Sequence, residues 1–222
     1  MSRRRALSAA AALAACALAI PGVADAVVAT ISPPLDPTAV ASCPGTATTP
    51  CAVVSRTTAM QVVVGHAYHP LQITVAGRIV GWQVTLSAPT TAQIKYFDTT
   101  EGGASQAAIA VLRPVRALDY RLVAIGPLMH LQPYFGQTVS FPLVSTIAVA
   151  PGDMLALAVP TWAPALQLHA GHRTAWRASR SRSQCTNVAA GTAQTTPGGV
   201  MQYACIYQSG LVTFNAVEIS TP

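Results

Sequence analysis

The chain has 222 residues, of which 51% are hydrophobic, 9% charged and 6% aromatic, with 15 Gly, 17 Pro and a formal net charge of +6. That much apolar and so little charged material excludes a disordered chain, and the scarcity of Glu and Lys excludes a coiled coil. Setting aside Arg3, Arg4, Arg5 and Asp25 near the N-terminus leaves ten basic and six acidic side chains, a balance too weak to indicate nucleic acid.

The chain opens on an export signal. Met1 to Arg5 is positive, Ala6 to Ile20 is apolar, Pro21-Gly22 interrupts it, and Ala24-Asp25-Ala26 is an A-x-A cleavage site, so 1–26 reads as a signal peptide with Val27 first in the mature chain. Three variants stay open: a twin-arginine signal lacking its usual Phe, a lipoprotein box at Leu13-Ala14-Ala15-Cys16, and an uncleaved anchor. No later stretch reaches 18 apolar residues without Gly, Pro or charge, so no transmembrane span is expected in the mature chain.

Residues 27–51 are rich in Pro, Thr and Ala and suggest an extended arm, followed by a β-sandwich domain over 52–222. Four cysteines remain after the leader, an even number suited to an oxidising compartment. Of three possible pairings the sequential one is expected, Cys43 with Cys51 and Cys185 with Cys205, because each pair brackets a loop-like segment. A zinc site is disfavoured, since neither pair has the short C-x2-C spacing.

From Ala52 onward, short Val/Ile/Leu/Thr runs alternate with Gly, Pro and Asp, the rhythm of an antiparallel sandwich. Arg78 to Leu86 is the clearest strand, with Val80, Trp82, Val84 and Leu86 on one face. Ile94–Phe97, Ala108–Leu112, Arg121–Ile125, Leu128–Leu131, Thr138–Phe141, Met154–Val159, Met201–Tyr207 and Leu211–Ile219 read as further strands, with helix scarce. In Met154–Val159, bulky Leu155, Leu157 and Val159 alternate with Ala156 and Ala158, as in a strand covered on both faces. The core is expected to contain Val80, Trp82, Val84, Leu155, Leu157 and Val159.

Ile79-x-x-Trp82, Val111-Leu112-Arg113-Pro114 and Val149-x-Pro151-Gly152-Asp153-x-Leu155-x-Leu157 follow one another in an order that resembles a group of secreted actinobacterial β-sandwich proteins of unassigned function. The likeness spans about Ala52 to Ile219 and implies an all-β jelly roll and a secreted or cell-surface bacterial location. It carries over no catalytic residue.

Candidate chemistry is thin. Gly103-Ala104-Ser105-Gln106-Ala107 falls short of a nucleophile elbow and reads as a hairpin loop. His66-x-x-His69 and His169-x-x-His172 lack nearby carboxylate or thiolate partners, so no metal and no cofactor is assigned. Asp98 and Glu101 are the only close carboxylate pair, and Pro151-Gly152-Asp153 reads as a type II turn. The unusual segment is Thr161 to Gln184, read as a loop, which carries Trp162, His169, His172, Arg173, Trp176, Arg177, Arg180 and Arg182 without one acidic residue. Guanidinium forks bind carboxylate or phosphate, and tryptophan faces stack on sugars. These eight residues are the candidate ligand site of a non-catalytic domain that binds a glycan or an anionic cell-surface polymer. The competing readings are a polysaccharide hydrolase using Asp98 and Glu101, and a purely structural envelope protein.

Overall fold

The computed structural model describes residues 26–34 and 39–220, so the leader expectation falls, up to residue 25, outside the described residues. In chain order the strands are β1 (Val27–Ile31), β2 (Val40–Ala41), β3 (Val54–Val64), β4 (Ala67–Tyr68), β5 (Gly77–Thr85), β6 (Gln106–Arg116), β7 (Asp119–Ile125) and β8 (Met129–His130). They continue as β9 (Thr138–Val149), β10 (Met154–Ala163), β11 (Leu166–Leu168), β12 (Ala175–Ala178), β13 (Val200–Gln202), β14 (Cys205–Gln208), β15 (Gly210–Val212) and β16 (Phe214–Ser220).

Eight of them roll up as one long hairpin. β1 pairs with β16, β3 with β10, β5 with β9 and β6 with β7, all antiparallel. The outcome is a four-stranded sheet β1-β16-β5-β9 opposite the run β7-β6-β10-β3, which is jelly-roll order. β12, β14, β13, β4 and β8 enlarge the second sheet to nine strands, and β15-β11-β2 form a small third sheet. Among the described residues of 27–51, β1 borders one sheet and β2 another.

Between the two large sheets lies the main core, including Ile79, Trp82, Val84, Ile109, Phe141, Leu155, Leu157, Val159 and Phe214. A second cluster, with Met60, Ala110, Leu112, Leu122, Met154, Ala156, Ala158 and Tyr203, covers the outer face of the nine-stranded sheet. β10 is therefore covered on both sides, its Leu/Val face in one cluster and its Ala face in the other. Small alanines let Tyr203 and its neighbours approach the sheet closely.

Three expectations are corrected. Val80 is only half-buried and Ile79 takes its inward place, because the β5–β16 register shifts between Val217 and Glu218 and leaves Val80 as the extra residue. Ile94–Phe97 is not a strand: α1 spans Thr91–Thr100 and buries Phe97. It starts on a capping box, with Thr90 Oγ1 accepting from the Gln93 N–H and Gln93 Oε1 accepting from the Thr90 N–H. The segment Thr161 to Gln184 is not a loop either, since it contains the end of β10, all of β11 and β12 and one turn of 3-10 helix at Arg182–Gln184.

The turn before β10 is as expected. Gly152 has φ +91°, the Asp153 N–H donates to Ala150 O, and the buried Asp153 carboxylate accepts from the Ala150 N–H at 2.9 Å and from Arg113 Nε at 2.7 Å. Both sequential disulfides are present, Cys43–Cys51 and Cys185–Cys205, which fits an oxidising environment. Among the described residues no helix is long and apolar enough to cross a membrane.

Candidate functional site

The arginine- and tryptophan-rich segment divides once it is folded. Trp162 is fully buried at the end of β10, with ring centroids of Phe97 and Phe135 at 5.1 and 5.4 Å. Its Nε1–H donates to Asp98 Oδ1 at 2.9 Å, and Gln132 Nε2 donates to both oxygens of the same carboxylate. Asp98 thus ties α1 to β10, and no face of Trp162 is open to a sugar. Glu101 closes the far end of α1 as its C-cap.

Arg173 is exposed and donates from Nη1 to His66 Nδ1 at 3.1 Å. Arg177 is half-buried and donates to the carbonyls of Tyr203 and Ala204. Arg182 and His172 are exposed. His169, also exposed, lines a separate cavity of about 220 Å³ beside Val40 and the Cys43–Cys51 loop. Among the described residues no group of three or more His, Cys, Asp or Glu could hold a metal ion.

Trp176 and Arg180 do come together, around Tyr207, which the sequence places at the end of a strand and not among the candidate site residues. β12 pairs with β14 so that Trp176 lies directly opposite Tyr207, and their rings stack at 4.5 Å with 20° between planes. The Arg180 guanidinium carbon is 6.0 Å from the Tyr207 ring centroid. Its Nη1 donates to Tyr207 Oη at 2.6 Å and its Nη2 to Ser55 O at 2.7 Å. A Cβ on Gly191 would collide with Arg180 Nε, so that edge of the guanidinium packs against the Gly191 backbone, and Nε itself has no hydrogen-bond partner.

The backbone around Arg180 is fixed from both sides. The preceding Ser179 Oγ accepts from the Thr58 N–H at 2.8 Å and donates to Thr192 O at 2.9 Å. Arg180 O accepts from the Ala204 N–H at 2.9 Å, next to the Cys185–Cys205 bridge. Beside Tyr207 and Arg180 opens a cavity of about 290 Å³, lined by Ala52, Val53, Leu166, Leu168, Trp176 and Gly210 together with Ser55 and Gln208. Two non-glycine residues with positive φ flank this lining, Arg56 at 46° next to Ser55 and Ser209 at 56° between Gln208 and Gly210.

Arg180 is 2% exposed, yet no Asp or Glu lines the cavity, and the one ion pair among the described residues is Arg113–Asp153, elsewhere. A buried guanidinium cannot shed its proton, so its desolvation is answered only by hydrogen bonds or by an anion. Here two carbonyl or hydroxyl oxygens answer it, and neither carries charge. The Cys205-x-Tyr207 alternation was the one sequence sign that Tyr207 points inward with Cys205. No local pattern brings Tyr207 to Arg180.

Compared with protein-family models, with curated proteins and with solved structures, the chain matches none. What stands is an all-β protein of antiparallel sheets with two disulfides.

Proposed function

We propose that this is an exported, non-catalytic binding domain of the actinobacterial sandwich type, and that it holds an anionic group of an extracellular polymer in the cavity beside Arg180. The observation that carries the reading is a buried, acid-free guanidinium lining a cavity. Such a charge costs folding energy unless a ligand neutralises it, and functional sites are where proteins tolerate that cost. The exposed Arg173 and Arg182 add positive surface charge that would attract an anionic chain and lose strength as salt screens it.

Retention of wild type and Arg180→Met on acidic-glycan, teichoic-acid-bearing and neutral-glycan columns tests this reading. Wild type should be retained on an anionic column and released by salt, and Arg180→Met should elute earlier. Equal elution of the two on every column would remove the reading.

A further inference from the structure

Resting on that anion-binding reading, we infer that the cavity beside Arg180 receives a small amphiphilic monocarboxylate, an aryl or short acyl acid, rather than a hydroxyl-rich acidic sugar ring. At about 290 Å³ the cavity lies at the small end of the range for ligand sites and has room for one ring or a short chain. Its walls away from Arg180 are mostly apolar, with Ala52, Val53, Leu166, Leu168 and the Trp176 ring, and Gln208 and Ser55 are too few polar partners there for the several hydroxyls of a sugar ring. An apolar body loses nothing there and gains contact with the Trp176–Tyr207 stack.

The polar end is made of donors. Arg180 spends two of its N–H groups on Tyr207 Oη and Ser55 O. Because the Tyr207 oxygen accepts from a cation, its own hydroxyl proton is left to donate, and Tyr207 lines the cavity. A group that only accepts matches this end, and a carboxylate does so with charge-assisted bonds. One guanidinium balances one negative charge, whereas a phosphate monoester dianion would bring a second, uncompensated charge into an apolar cavity. The left-handed backbone at Arg56 and Ser209 is the kind of strain that gathers at built sites.

Calorimetric titration of the intact, oxidised protein at fixed ionic strength, with tryptophan fluorescence alongside, decides the matter using benzoate, its neutral methyl ester and glucuronate as probes. Benzoate should bind one to one at millimolar concentration or tighter, with methyl benzoate and glucuronate at least tenfold weaker. Arg180→Met should weaken benzoate at least tenfold and Tyr207→Phe several-fold. Should Arg180→Met fail to fold, Leu168→Trp, which fills the cavity and leaves the cation in place, should abolish benzoate binding while anionic columns still retain the protein through its exposed Arg173 and Arg182. Glucuronate binding as tightly as benzoate would overturn the amphiphilic class and leave the anion site standing. Methyl benzoate matching benzoate, or no benzoate binding at all, would overturn this inference, and the elution of Arg180→Met from the anionic columns would still decide the polymer reading.

Discussion

Trp162 and Trp176 belong to one short stretch of chain and have opposite fates. At Trp162 the corner is closed: aromatic rings surround the indole, and its N–H meets a carboxylate that Gln132 also satisfies. At Trp176 the corner is open: the ring stacks on Tyr207 beside a cavity, and the nearby charge is a guanidinium without an acid. A tryptophan in a basic segment therefore says little about function until its polar partner is known. A satisfied partner marks structure, and an unsatisfied one marks a place where something else can bind.

Trp162→Ala should produce the largest effect. It removes a fully buried indole and strands Asp98, so a loss of about 3 to 5 kcal/mol is expected in denaturant unfolding, with benzoate binding unchanged in the protein that remains folded. Lost binding with an intact fold would mean that the two corners are not separate.

The Cys185–Cys205 bridge braces only the open corner. Replacing both cysteines with serine should cost about 3 kcal/mol by the chain-entropy estimate for a sequence separation of 20, and should weaken anion binding as the Arg180 backbone loosens. The same change at Cys43 and Cys51 should cost slightly less, because its loop is shorter, and should weaken binding less, since Cys51 adjoins the cavity walls at Ala52 and Val53 but not Arg180. Equal effects of the two pairs on binding would break the contrast.

Much of the fold was legible from the residues. Leu155, Leu157 and Val159 alternating with alanines announced a strand covered on both faces, and four cysteines bracketing two loop-like segments announced their own pairing. α1 was hidden because it has ten residues and buries only Phe97, so no apolar stripe betrays it, although the Thr90-x-x-Gln93 box was there to be read. Val80 was misplaced because a bulge breaks period two without any change in residue type. The Arg180–Tyr207 contact depends on β12 and β14 pairing across the intervening crossover, a long-range event that no spacing displays.

Smaller effects compare the two polar partners directly. Asp98→Asn should cost about 1 to 3 kcal/mol, since it breaks a satisfied, partly buried network. Arg180→Met should change stability by only about 1 kcal/mol, because the lost hydrogen bonds are offset by release from burying an uncompensated charge. Thermal unfolding checks both, and an Arg180→Met loss as large as that of Asp98→Asn would make Arg180 a structural group like Asp98.

The smallest effect concerns another buried group with an unpartnered atom, Glu218, whose Oε1 has no hydrogen-bond partner and whose pKa is raised by burial. A carboxyl in that position can escape its cost by keeping a proton, and an arginine cannot. With its folded pKa above the unfolded one, the stability that Glu218 contributes is fully present below the unfolded value and is lost as pH rises through the folded value. Glu218→Gln, which is neutral throughout, should therefore match wild type in acid and become the more stable of the two as pH climbs through and above the ordinary carboxylate range. Urea unfolding of both proteins across that range measures the divergence, and a constant difference at every pH would show that burial does not raise the Glu218 pKa. A proton can relieve the buried charge at Glu218, whereas at Arg180 it would take an outside anion.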